Sequence, residues 1–380
     1  MKPFSKPIYV TRPLLPDRKA IHRKLDEILD AQWLTNRGPQ HKLFEKEITR
    51  YLKVPYVSLV NNGTSALQLA CRVLRLTGEV ITTPFTFPAT PHALYWNNIK
   101  PVFCDIEEAS WNIDPSKIEA LITPATSAIL PVHVFGNPCD TKAIQKIADK
   151  YRLKVVYDAA HCFGVKVGEK GIGNFGDASA FSFHATKVFN TLEGGAITCK
   201  DPAIKERIDL AKNFGFQGEN TIVAPGINAK MDEFQAAFGL VCLKILAREI
   251  KKRKKLTAIY QQRLSKIEGI DFATNNNRTV EHNYYNFVIR VDEGEFGKSR
   301  DQLYEELKKY NIFTRKYFYP LCSQFQCYRD SSSVFPINLP VAGRVSKEVL
   351  SLPLYGGLAE SCVSKICDIV EALRKSNNQL

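Results

Sequence analysis

The sequence lacks the marks of several protein classes. No two of its ten cysteines form a Cys-x-x-Cys pair. The closest pairs, Cys322/Cys327 and Cys362/Cys367, have four residues between them, which fits no common zinc spacing. No apolar run is long enough to cross a bilayer. The opening Met-Lys-Pro-Phe-Ser-Lys-Pro has no apolar signal core. Internal repeats and low-complexity tracts are absent as well. These absences argue against a zinc module, a membrane protein and a disulfide scaffold, and the expectation is a cytoplasmic protein with reduced thiols. The sequons at Asn62 and Asn277 then carry no glycan meaning. Acidic residues are also in short supply. There are 39 Asp and Glu against 52 Lys and Arg, a formal net charge of +13. Such a balance suits an anionic partner, whether nucleic acid, membrane surface or phosphorylated small molecule, and does not choose among them.

What is present is a soluble composition, 44% hydrophobic and 24% charged over 380 residues, enough for two or three domains. Seven short apolar runs read as strands: Tyr56–Val60, Val80–Thr83, Val102–Asp105, Ala128–Val134, Val155–Asp158, Ala178–Phe183 and Gly195–Cys199. Helical stretches fall between them, at Thr64–Leu76, Pro88–Trp96 and Thr141–Tyr151. This alternation predicts an α/β fold with a mostly parallel sheet covered by helices on both faces. Ligands in such sheets sit beyond the carboxyl ends of the strands. Asn61, Asn62, Thr86, His133, Asp158 and His184 fall at those ends. Met231–Arg263 reads as one long helix, followed by polar loops (274–279, 330–333), a strand at Tyr285–Val291, and helices at Asp301–Tyr310 and Ser364–Lys375. The expected division is a large domain over residues 1–240 and a smaller α+β domain over 241–380.

Four elements carry chemistry. Asn62-Gly63-Thr64-Ser65-Ala66 joins a strand to a helix, where open N–H groups and two hydroxyls can take a phosphate or merely cap the helix. Asp158 ends an apolar strand, where a carboxylate needs a cationic partner: a metal, an arginine or a protonated pyridine nitrogen. His161 is near, but nothing else completes a ligand set, so no metal is expected. Lys187 follows the strand end Ser182-Phe183-His184, and a lysine in a desolvated pocket can form a Schiff base with an aldehyde. Glu193-Gly194-Gly195 makes a tight turn into the next strand. By contrast, Gly171-Ile172-Gly173-Asn174-Phe175-Gly176 matches G-x-G-x-x-G without the strand-to-helix context that gives that motif its mechanism, and reads as a hairpin loop.

Taken in order, Gly63-Thr64-Ser65-Ala66-Leu67, Pro84-Phe85-Thr86-Phe87-Pro88-Ala89-Thr90, Asp158-Ala159-Ala160-His161 and Ser182-Phe183-His184-Ala185-Thr186-Lys187 with Glu193-Gly194-Gly195 resemble the DegT/StrS family of sugar aminotransferases. The resemblance runs from Leu34-Thr35-Asn36-Arg37-Gly38-Pro39 to Tyr317-Phe318-Tyr319-Pro320-Leu321. It implies a pyridoxal 5'-phosphate (PLP) enzyme of fold type I that passes through pyridoxamine 5'-phosphate. Lys187 would carry the cofactor and then act as general base, and Asp158 would pair with the pyridinium nitrogen. Thr64, Ser65 and Ser182 would hold the phosphate, Phe87 would stack on the ring, and Gly63 and His184 would also contact the cofactor. Many relatives have glutamine where this chain has His161, beside the cofactor hydroxyl. A histidine can donate there too, although the sequence leaves its tautomer open. Asn228 resembles an asparagine that reaches the phosphate from a second subunit, which implies a homodimer with shared sites.

The resemblance also suggests the reaction. His184-Ala185-Thr186-Lys187 with Asn213-Phe214-Gly215-Phe216 is similar to members acting at C4 of dTDP-4-keto-6-deoxyglucose to give dTDP-4-amino-4,6-dideoxyglucose, with L-glutamate as donor. The alternatives are C3 amination, the C4 galacto product, sugar 3-dehydration (against which Lys187 argues), and a regulatory or nucleic-acid-binding relic. Neither nucleic acid nor membrane is expected as a partner. Arg37, His282, Arg315, Tyr317 and Tyr319 lie in stretches that the family uses near the substrate. The run Lys251-Lys252-Arg253-Lys254-Lys255 spreads around a helix and reads as solvated surface.

Overall fold

A computed structural model describes residues 1–274, 279–329 and 339–375. Asn277 and the 330–333 loop lie outside the described residues. Among the described residues no helix is long and apolar enough to cross a membrane.

Seven main strands form one sheet: β1 (Tyr56–Val60), β2 (Glu79–Thr82), β3 (Lys100–Phe103), β4 (Thr126–Leu130), β5 (Lys154–Asp158), β6 (Ala178–Ser182) and β7 (Gly195–Cys199). Their order is β1-β7-β6-β5-β4-β2-β3. Only β7 runs against its neighbours, β1 and β6. The strands obey the two-residue period of a sheet buried on both sides. In β5, Val156 joins one core with Val80, Leu130 and Ala180, while Val155 and Tyr157 join another with Ile81 and Ile129. Strand β4 ends sooner than expected, because Pro131 has no N–H to continue the ladder. Its carbonyl still accepts from Asp158 at 2.9 Å, so the chain beyond β4 stays beside the end of β5.

Helices α1 (Arg18–Ala31), α2 (Pro39–Leu52), α3 (Gly63–Val73), α4 (Ala89–Tyr95), α5 (Thr141–Tyr151) and α6 (Pro202–Ala211) accompany the sheet. Helix α3 starts at Asn62, whose side chain accepts the Ser65 N–H at 2.7 Å. The literal glycine motif begins in a small hairpin, Lys166–Val167 paired with Lys170–Gly171, and passes into a short turn over Ile172–Asn174.

The long helix α7 (Glu233–Leu264) opens with a reciprocal cap between Asp232 and Gln235. Residue 240 lies inside it. Its later half packs into a second core with an antiparallel sheet of β8 (Ile270–Phe272), β9 (Phe287–Val291) and β10 (Val349–Leu352), and with helices α8 (Arg300–Lys309) and α9 (Glu360–Lys375). Residues Ile8–Tyr9 join this part of the molecule by pairing in parallel with Ile312–Phe313.

Candidate active site

A cavity of about 640 Å³ opens at the carboxyl ends of β5 and β6 and the start of α3. Gly63, Thr64, Ser65, Phe87, Asp158, His161, Ser182, His184, Lys187 and Tyr317 all line it. The parallel strands explain this convergence, since successive strand ends deliver their polar residues to the same edge.

Asp158 lies at the floor, 5% exposed. Its Oδ2 accepts from the Thr90 hydroxyl at 2.8 Å and its Oδ1 from the Ala160 N–H at 3.0 Å. Burial raises its pKa above the ordinary carboxylate value, and these two bonds and the nearby Lys187 charge pull in the opposite sense. Such a carboxylate is ready for a cationic partner. Lys187 enters the cavity just after the β6 end, with Nζ 3.4 Å from the Tyr285 hydroxyl and 4.9 Å from the centre of that ring.

His161 stacks on Tyr285 with 4.4 Å between ring centres. Its Nδ1 accepts the Phe135 N–H at 3.2 Å, which puts the ring proton on Nε2. Burial and the Lys187 charge hold its pKa well below the usual histidine value. The ring is a neutral donor, which supplies the tautomer the sequence leaves open. His184 accepts the Thr186 N–H at Nδ1, 3.2 Å away, and its Nε2 lies 3.5 Å from Glu193.

The start of α3 is pressed onto β6. A Cβ at Gly63 would meet the Ser182 Cβ at 2.7 Å, so glycine alone permits that approach. The first N–H groups of α3 have no carbonyl of their own turn to bond. With the hydroxyls of Thr64, Ser65 and Ser182 they form a cradle suited to a phosphate.

Five expected residues do not line this cavity. Asn228 is exposed, its Oδ1 holding Lys230 Nζ at 2.9 Å. Arg37 lines a second cavity, close to Glu45 (3.6 Å) and Asp209 (3.9 Å). His282 turns away, its Nδ1 accepting the Tyr284 N–H at 2.7 Å. Arg315 bonds through its backbone to Ser351 and is exposed. Tyr319 is exposed with Arg300 over its ring at 5.0 Å. The sequence reading did not single out Tyr285, Asn286, Phe318 or the role of Thr90. For Tyr285 the available signal was its place at the head of a strand-like run, which alone does not say which cavity it enters.

Comparison with known proteins gives the same direction. The profile of the DegT/DnrJ/EryC1/StrS aminotransferase family matches residues 16–371. The dTDP-4-amino-4,6-dideoxy-D-glucose transaminase of Escherichia coli is 48% identical over 96% of this chain and 98% of its own. Among solved structures, DesI in the presence of its TDP-sugar product superposes with a TM-score of 0.93 at 36% identity, over 100% of this chain and 96% of that one. The PLP form of the Streptococcus pneumoniae protein Spr1654 superposes with a TM-score of 0.88 at 26% identity, over 96% of this chain and 98% of that one. PLP is the cofactor of this family, and the buried carboxylate, the cavity lysine and the hydroxyl-lined helix start fit its ring nitrogen, aldehyde and phosphate. A profile match across nearly the whole length, on a fold and a cavity of this kind, means that the chain belongs to the DegT/DnrJ/EryC1/StrS aminotransferase family.

Proposed function

We propose that this protein transfers an amino group from L-glutamate to C4 of dTDP-4-dehydro-6-deoxy-D-glucose, giving dTDP-4-amino-4,6-dideoxy-D-glucose, in the cytoplasm and as a homodimer. The observation that carries the reaction class is the convergence of Lys187 and Asp158 in one cavity beside the α3 start. The sugar rests on the 48% identity to the Escherichia coli transaminase of that name.

When bound, PLP supplies an aldehyde that accepts an amino group and a ring that takes up an electron pair. The chain's own residues do the rest. Thr64, Ser65 and Ser182 hold the phosphate, and Gly63 lets the helix start come close. Phe87, 57% exposed on the cavity wall, offers a face for the ring. Asp158, oriented by Thr90 and Ala160, keeps a proton on the ring nitrogen. His161 donates from Nε2. Lys187 Nζ would take the proton given up by the donor's α-carbon and pass it to the cofactor carbon. Asn228 is exposed in a single chain, and in the dimer it reaches the partner's phosphate. The aromatic residues Trp33, Phe214 and Tyr319 are 45% exposed or more, which accords with a covering second copy.

The test is a half-reaction followed by absorbance. The protein is loaded with PLP, converted with glutamate, freed of glutamate and given dTDP-4-dehydro-6-deoxy-D-glucose. Return of the cofactor band with an amino sugar nucleotide is expected. A band that bleaches and does not return rejects this sugar. No band at all rejects Lys187 as the cofactor lysine.

A further inference from the structure

The basic run on α7 is not uniformly solvated. Lys251, Lys252, Lys254 and Lys255 are exposed, but Arg253 is completely buried. Its Nε donates to Glu249 at 2.6 Å, one turn earlier. Its Nη1 donates to the carbonyls of Tyr285 and Leu354, both at 3.1 Å. A buried guanidinium is costly unless it is paired and bonded, and here Nε and Nη1 are bonded while the buried Nη2 has no partner.

Tyr285 is the residue it leads to. That side chain lies between Lys187, whose Nζ it meets at 3.4 Å, and His161, on which it stacks. Its backbone is fixed on both sides. The carbonyl is held by Arg253, and the N–H donates to Asn283 Oδ1 at 3.1 Å. Asn283 is itself buried, and its Nδ2 donates to the carbonyls of His161 (2.7 Å) and Phe163 (3.1 Å). A tyrosine from the C-terminal half is thereby clamped against both α7 and the loop after β5.

We infer that Tyr285 is a further catalytic residue that guides the Lys187 amine, and that Arg253 and Asn283 are positioning residues acting through it. A neutral amine accepts the phenol O–H. An ammonium donates to the phenol oxygen and is attracted by the ring face. Tyr285 thus offers a partner to either state of Nζ. The phenol keeps its own proton throughout, and the proton that moves is the one Nζ takes from carbon and returns to carbon. Tethering the amine at a fixed point narrows its approach to that carbon. The inference rests on the reading of Lys187 as the cofactor lysine.

Tyr285→Phe tests it, because that variant keeps the ring, the stack and both backbone bonds. The glutamate half-reaction is expected to slow about 10- to 100-fold, the range for loss of a bond to a charged group, with the apparent affinity for glutamate unchanged. The isotope effect with 2-deuterated glutamate is expected to rise. Independently of any donor, the apoprotein is expected to capture PLP more slowly. Arg253→Lys keeps a cation for Glu249 but loses the Nη1 group that bonds two carbonyls. It should slow the same step, and the double variant should be no slower than Tyr285→Phe alone. If Arg253→Lys does not fold, Asn283→Ser takes its place in the cycle. Wild-type rates and isotope effect in Tyr285→Phe overturn the catalytic role. Multiplying losses in the double variant overturn the positioning role. A wild-type protein that captures no PLP defeats the underlying reading instead.

Discussion

His161 accepts a backbone N–H at Nδ1, so it presents one fixed donor, Nε2, and stays neutral because burial depresses its pKa. A glutamine side-chain amide can supply the same donor. His161→Gln is therefore expected to hold PLP about as well as the native protein. His161→Leu removes the donor and is expected to weaken PLP binding by about fivefold, near 1 kcal/mol. Titration of the apoprotein with PLP measures both. This scale also shows what a sequence can reveal. Asp158, His161 and Lys187 sit at the ends of apolar strands, and parallel topology sends such ends to one edge. Tyr285 and Asn283 reach the same place from the C-terminal half, through contacts more than 90 residues apart in sequence, and no local pattern encodes that. Arg253 was hidden for another reason: its neighbours in the run are exposed, and composition cannot tell the one cation that turns inward.

Among the elements, α2 begins without a cap of its own, since Gly38 has no side chain. The buried carboxylate of Glu233, at the start of α7, supplies one: Oε2 accepts the Gln40 N–H at 2.6 Å and Oε1 the His41 N–H at 3.1 Å. The first turn of one helix thus closes the first turn of another, 193 residues earlier in the chain. Any side chain at residue 38 would intrude, because a Cβ there meets the Glu233 Cδ at 2.7 Å. Glu233→Ala is expected to cost about 1–2 kcal/mol, the value of a lost cap, whereas Glu233→Gln keeps one acceptor and costs less. Urea unfolding of the two variants measures the difference. Helices α1, α2 and α6 were not among the expected ones, whereas helix existence was legible for α3, α4, α5, α7, α8 and α9, whose apolar residues recur at helical spacing. The ends were less so, because they depend on caps: α3 starts at Gly63 because Asn62 caps it, and α7 starts at Glu233 because Asp232 does. The shared cap at α2 had no sequence signal at all.

For the molecule as a whole, buried neutral histidines set the response to acid. Burial holds His41 and His133 down at about 3 and His282 at about 4, with His161 also well below the ordinary value of 6.5. The Lys212 and Arg37 charges add to the effect at His41. In the unfolded chain each ring takes a proton near pH 6.5, and in the folded protein it does not. Their contribution is therefore complete above pH 6.5 and declines as pH falls toward the folded values. At pH 5 His41, His133 and His282 each give up about 2 kcal/mol relative to neutral pH. Asp209, held well below the usual carboxylate range by Lys212 and Lys205 against the opposing effect of burial, extends the loss below about pH 4, where the unfolded carboxyl is already protonated. The melting temperature is thus expected to fall steeply from pH 7 to pH 5, in a window where ordinary carboxylates are still ionised. His41 singles out the cause, since both of its ring nitrogens are buried without a hydrogen-bond partner. His41→Leu removes a proton-binding group from the unfolded chain and leaves no polar atom stranded in the folded one. It is expected to flatten the slope of melting temperature against pH across this window while leaving the neutral-pH value as high or higher. An unchanged slope in that variant would mean that the acid lability comes from other groups.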